Sequence, residues 1–220
     1  MTTMKYISII LILLIVFTIS CVKEDNKPCP SKFVVNGEVI PYAKTYNVGD
    51  TINLQAIYNS MIYDRVTKEY YNLENLNIEV GFTVYKIDTL KNNSPHKINE
   101  YVNVILNSKY NYYIQNFDNG NSSLFSNIIH NADTFKNEIK LVLKKKGLFM
   151  LSYGPFANEC NQDFEGKCID YQLGTRLNIK RDNNINLLKE SQDDFFNTWM
   201  FIDTNRFFWQ KSGFAYRVID

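Results

Sequence analysis

The feature that most constrains this chain is a period of two in its apolar residues. In the stretch TINLQAIY (51–58), Ile52, Leu54 and Ala56 alternate with Thr51, Asn53 and Gln55. In NIEVGFTVYK (77–86), Ile78, Val80, Phe82 and Val84 alternate with Glu79, Gly81, Thr83 and Tyr85. Successive side chains of a strand point to opposite faces, so each stretch offers one greasy face and one wet one. The same rhythm recurs at Val102, Val104 and Leu106, at Ile139, Leu141 and Leu143, at Phe149, Leu151 and Tyr153, and at Phe214, Tyr216 and Val218. Half-buried strands separated by Asn, Asp, Gly and Ser turns belong to antiparallel sheets packed face to face. The expected fold is therefore all-β, an antiparallel β-sandwich over residues 32–220 with one or two short helices.

Two stretches carry a likeness to known domains. YNVGDTINLQAIY (46–58) places a Val-Gly-Asp-Thr turn before an alternating strand, and KKGLFMLSY (145–153) places a strand behind a glycine turn. Both resemble segments of immunoglobulin-like bacterial surface domains, which implies the fold class and nothing about a binding site. Helix is expected near the end, where Ser191 and Asp194 suit an N-cap and Phe195, Phe196, Trp199 and Met200 form one helical stripe. A shorter stripe is Leu124, Phe125, Ile128 and Ile129. The aromatic run RFFWQ (206–210) is expected to pack as an end plug, with an exposed sugar-stacking platform as the alternative.

The N-terminus is different in kind. Ile7 to Ile19 is an almost unbroken apolar run behind Lys5, the form of a signal-peptide h-region. A membrane-spanning helix needs roughly 20 apolar residues, and Lys23, Glu24 and Asp25 prevent this run from lengthening. The run ends at Thr18-Ile19-Ser20-Cys21, which resembles the lipobox of bacterial lipoproteins. That likeness implies residues 1–20 as a signal peptide and Cys21 as the lipidated first residue. Stable attachment takes two acyl chains rather than one, and the likeness implies diacylglyceryl on the sulfur with a further acyl chain on the freed amine. KEDN (23–26) resembles the acidic export signal of Bacteroidota lipoproteins, which implies an outer-membrane, surface-exposed address. Residues 21–31, with Pro28 and Pro30, are expected to be a tether.

The whole chain carries 24 basic and 23 acidic residues, and loss of Lys5 with the signal leaves the two in balance. Such a chain has no overall field for nucleic acid. Lys144, Lys145 and Lys146 are expected at the solvated end of a hairpin. Cys160 and Cys168 bracket a turn-rich segment and are the expected disulfide, with Cys29 to either one as the competing pairing.

Catalytic signatures are missing from the sequence. His96 and His130 stand far apart in polar surroundings and are expected in solvent. Neither G-x-S-x-G, H-E-x-x-H nor a Gly-rich phosphate loop occurs, so no catalytic residue, metal or cofactor is expected. DNGN (118–121) is expected to be a turn rather than a calcium loop. The expected role is a non-enzymatic binding or structural module of the cell envelope, contacting a protein or glycan. A glycan-acting hydrolase using carboxylates such as Asp163, Glu165 and Asp170 is the alternative.

Overall fold

The computed structural model of the protein describes residues 30–73, 77–89, 96–105, 107–131, 133–159 and 172–220. Strands form where the alternation predicts them. One sheet is built from β1 (Lys32–Ile40), β3 (Thr51–Asn59), β7 (Val102–Ile105), β10 (Ile129–Asn131), β11 (Thr134–Leu143) and β13 (Gln172–Leu177), in the order β10-β11-β3-β1-β13, with β7 also on β11. The facing sheet has the order β2-β14-β12-β6-β9-β8. Its strands are β2 (Thr45–Asn47), β6 (Asn77–Lys86), β8 (Tyr112–Asn116), β9 (Ser122–Asn127), β12 (Gly147–Glu159) and β14 (Phe214–Ile219). A separate hairpin of β4 (Met61–Tyr63) and β5 (Tyr70–Asn72) closes one end.

The molecule is an all-β sandwich. Phe33, Val35 and Val39 of β1, Ile52, Leu54 and Ala56 of β3, and Phe135, Ile139, Leu141 and Leu143 of β11 meet Ile78, Val80, Phe82 and Val84 of β6 and Phe149, Leu151 and Tyr153 of β12. Each fully buried Leu, Ile or Phe contributes about 1.5–3 kcal/mol. Polar Asn137 is fully buried on the same inner face. It donates to Ser126 Oγ at 2.9 Å and Asn127 O at 3.0 Å, and accepts from the Tyr153 hydroxyl at 3.3 Å.

Two edge pairs depart from the antiparallel expectation. β1 runs parallel to β13, and β14 runs parallel to β2. The partners in each pair are remote in sequence, so the return path is long enough for a same-direction crossing that a tight hairpin forbids.

β12 and β14 are greasy on both faces, because a third layer covers the facing sheet. Leu148, Met150 and Ala215 point outward into a second core with Ile87, Leu187, Leu188, Phe196, Met200 and Phe208. That layer is a 3-10 turn at Ile185–Glu190, π-type turns at Phe195–Trp199 and Asn205–Trp209, and a short α-turn at Met200–Ile202. The expected stripe is thus split. In a turn closed by i→i+5 bonds, Phe196 and Met200 face the core while Trp199 is 58% exposed. The cap also differs: Asp194 makes no side-chain cap bond. Instead Ser191 Oγ accepts the Asp193 N–H and Asp193 Oδ1 accepts the Phe195 N–H.

The stripe Leu124 to Ile129 is not helix but strand. β9 is an interior strand between β6 and β8, and Ser122, Ser123, Leu124 and Ser126 are all buried. Burial on both faces removes the period of two and leaves an apolar spacing that imitates a helix.

Candidate functional site at the far end of β1

β13 follows β1 only as far as Gly37, paired with Leu177. Beyond that point the chain peels away, leaving a cleft of about 440 Å³ between the second half of β1 and residues 178–181. Gly37 sits at the fork because a Cβ there would lie 2.9 Å from Leu177 Cδ2. The strand ends at Ile40, followed by a cis peptide bond to Pro41.

The opposite wall is held by asparagines. Asn178, Lys180, Asn183 and Asn184 all have positive φ, a region that Asn tolerates better than most residues. The Asn178 N–H donates to Gly37 O, and its Oδ1 accepts the Val39 N–H at 2.8 Å. Its Nδ2 donates to Asn183 Oδ1 at 2.9 Å, and Asn183 Nδ2 donates to Leu177 O at 3.0 Å. Asn184 Nδ2 reaches Ala43 O and Ala215 O, each at 2.9 Å. All three amides are buried, so a loop with a costly backbone is stapled into one shape.

What the staples present is exposed. Ile40 and Ile179 stand in solvent on either side of the cleft. The Arg181 guanidinium lies 4.3 Å from the centre of the Tyr42 ring, and Phe214 meets that ring edge-on. The Tyr42 hydroxyl donates to Asp182 Oδ1 at 2.8 Å. Burial first, then that bond, pushes the phenol up to about 12. Asp182 is held below the ordinary carboxylate value, chiefly by the Asn184 N–H and then by Tyr42. The cleft therefore carries two aliphatic side chains, a stacked cation and the exposed Glu38, on a rigid frame.

The residues singled out in sequence fall elsewhere. Cys21, Cys29, Cys160 and Cys168 lie outside the described residues, as do Asp163, Glu165 and Asp170. His130 is exposed and stacks on Phe135 at 4.2 Å. His96 is half-buried rather than in solvent, its ring 5.2 Å from that of Tyr85, because its N–H to Asn121 Oδ1 ties it against the sheet. DNGN is the β8–β9 turn, with Gly120 at φ 81°. Lys144 to Lys146 form the exposed β11–β12 turn, where Lys144 Nζ donates to Asn99 O, Lys145 pairs with Glu100 and Lys146 with Asp220. In RFFWQ, Phe208 is fully buried and Gly213 is pressed on it, so this run is packing rather than platform. Among the described residues no group of three or more His, Cys, Asp and Glu could hold a metal, and no helix is long and apolar enough to cross a membrane. The asparagine staples were missed in sequence.

No family model matches the chain, and no curated protein matches it. Among solved structures it is similar to a type II cohesin domain from the cellulosome of Acetivibrio cellulolyticus, at 8% identity over 64% of this chain and 91% of that one, with a TM-score of 0.29. It is similar also to the type II cohesin dyad from an adaptor scaffoldin of that organism, at 9% identity over 66% of this chain and 46% of that one, TM-score 0.30. The backbone protein of group B streptococcus pilus 2b matches at 17% identity, 63% and 57% coverage, and a TM-score of 0.24. Likeness at this level bears on neither ligand nor activity.

Proposed function

We propose that the chain is a lipoprotein of the bacterial outer membrane, moored by acyl chains on Cys21 and exposed at the cell surface, and that its sandwich is a non-enzymatic module that binds an envelope or extracellular protein. The observation that carries the binding reading is the asparagine-stapled cleft. Binding that uses a pre-formed surface avoids the ordering cost of a flexible loop, and buried amides that hold Ile179 and Arg181 in place supply that condition. A protein segment suits the surface better than a sugar, since the Tyr42 ring is covered by Arg181 and met edge-on by Phe214.

The anchor is supported by the apolar run, the residues before Cys21 and the KEDN segment. Metabolic labelling with an alkynyl fatty acid is expected to mark the wild type and not Cys21→Ser; label surviving that substitution removes the anchor. Protease treatment of intact cells is expected to digest the domain, and protection would place it inside. The double variant Ile40→Asp with Ile179→Asp is expected to melt like the wild type and to lose the protein partner that the wild type captures. Equal capture by both would eliminate the cleft. A Cys160–Cys168 bridge belongs to the same proposal, and a peptide map of unreduced protein lacking that link would overturn it.

A further inference from the structure

The end of the sandwich opposite the cleft has its own exposed surface. In the β4–β5 hairpin, Ile62 and Tyr71 face inward against Phe33, Val35, Leu73 and Phe135. By alternation Met61, Tyr63 and Tyr70 face outward. They are exposed, Tyr70 at 65%, and Tyr63 meets Tyr70 edge-on at 5.3 Å. Around this patch Lys32, Arg65 and Lys68 are exposed, and the exposed acids among the described residues there are Glu69 and Asp133, whose carbonyl accepts the Ser60 N–H.

The place where the preceding chain enters fixes what this surface meets. Asp64, in the hairpin, accepts the N–H groups of Ser31 at 3.0 Å and Lys32 at 2.7 Å, and the Arg65 N–H donates back to Lys32 O at 3.0 Å. Ser31 and Lys32 are therefore pinned to the hairpin that carries the outward tyrosines. The 11 residues leading from Cys21 to Lys32 reach at most about 38 Å when fully extended.

We propose that this hairpin is a lipid-contacting foot: Met61, Tyr63 and Tyr70 sit at the level of the lipid headgroups while Lys32, Arg65 and Lys68 meet their phosphates. The proposal rests on the anchor at Cys21. Tyrosine rings favour the membrane–water interface, where one end is apolar and the other wet, and basic side chains are drawn to anionic headgroups. A short flexible tether gives an effective concentration on the order of millimolar, so a contact far too weak to hold a free protein is occupied once the chain is anchored. The foot sets the direction of the rest. β1 runs from Lys32 to Ile40, roughly 26 Å at about 3.3 Å per residue, and delivers the cleft to the side away from the membrane.

The test uses the full lipidated protein in vesicles of phosphatidylethanolamine and phosphatidylglycerol carrying brominated acyl chains, which quench nearby tryptophan. The native tryptophans, Trp199 and Trp209, lie on the outer layer of the other sheet and are expected to keep their emission. Tyr70→Trp is expected to add emission that is blue-shifted and mostly lost to the brominated lipid. Adding Arg65→Glu and Lys68→Glu is expected to restore it while the protein still floats with the vesicles. Flotation separates the two failures. Protein that does not float overturns the anchor and the foot together. Protein that floats with the added emission unquenched, or with the native tryptophans quenched in its place, overturns the foot alone.

Discussion

The two ends of β1 are held in opposite ways. At its start a single ionised carboxylate gathers the chain: Asp64 is fully buried and accepts from the N–H groups of Ser31, Lys32, Val66 and Thr67 and from Thr67 Oγ1. At its end neutral amides do the same work, spread over Asn178, Asn183 and Asn184. Charge-assisted bonds are stronger but depend on the carboxylate staying ionised. Amide bonds are weaker, and pH leaves them alone. One end is thus a strong, titratable knot at Ser31 and Lys32, and the other a set of small amide staples behind an exposed cleft.

The largest effect separating the ends is expected from Asp64→Ala. Five donors lose their acceptor at once, and leaving buried N–H groups unpaired costs about 1–3 kcal/mol each, partly relieved by water at the loosened turn. A loss on the order of 4 kcal/mol in denaturant unfolding is expected, together with rapid hydrogen exchange at residues 31–33 and 64–69. A loss below 1 kcal/mol would mean that the hairpin holds the entry without its carboxylate. Asn178→Ala comes next, at about 2–3 kcal/mol, from an unpaired Val39 N–H plus a left-handed backbone that alanine adopts less readily than asparagine. Asn178→Gly removes the same bonds without the backbone strain, so it is expected to cost about 1 kcal/mol less than the alanine variant. Equal losses would show that the bonds alone matter.

Acid divides the ends without mutation. Burial alone would raise the Asp64 carboxyl, but bonds from the Thr67 and Lys32 N–H groups, the Thr67 hydroxyl and the Ser31 N–H together hold it below its ordinary 3.8. A carboxyl depressed by folding adds stability that is complete above the unfolded value and disappears as pH falls through the folded one. The loss therefore lies below about pH 4. The far end has a depressed carboxyl as well, but Asp182 is exposed and accepts only the Asn184 N–H and the Tyr42 hydroxyl, where buried Asp64 accepts five donors. Hydrogen exchange, corrected for the intrinsic rate, is therefore expected to rise more at residues 31–33 and 64–69 than at 177–184 as the pH falls. Simultaneous opening would merge the two ends into one cooperative unit.

The sequence was legible where burial has one face. β3 and β11 alternate cleanly because one side of each strand meets the facing sheet and the other is open or half-open to solvent. It was illegible where both faces are covered or where the contact is remote. β9 reads as a helical stripe because neither of its faces is wet. β1 itself alternates at Phe33, Val35, Gly37 and Val39, but the glycine interrupts its apolar face and hid it beside stronger stretches. The strands of the hairpin at 61–72 are three residues each, MIY and YYN, and nothing local says which of their side chains turn outward. The staples were least visible of all: Asn178 reaches Val39 across 139 positions, and a chain rich in asparagine gives no sign of which amides are buried.

The smallest expected effect is a matched pair. Lys68 at φ 62° and Lys180 at φ 70° hold the same left-handed backbone at opposite ends, a conformation that costs an L-residue roughly 1–2 kcal/mol. Glycine removes that strain but returns about 0.5–1 kcal/mol to the unfolded chain. Lys68→Gly and Lys180→Gly are each expected to stabilise by about 0.5–1 kcal/mol, read as a shift in the denaturant midpoint. Equal gains would show that both loops are closed by their frames and not by their lysines. The lysines differ also in which end of the molecule their charge stands at. Lys68→Gly takes a cation from the hairpin end and should weaken lipid quenching of a tryptophan at position 70, whereas Lys180→Gly should leave it unchanged. If both variants weaken it alike, net charge rather than the hairpin brings the protein to the lipid.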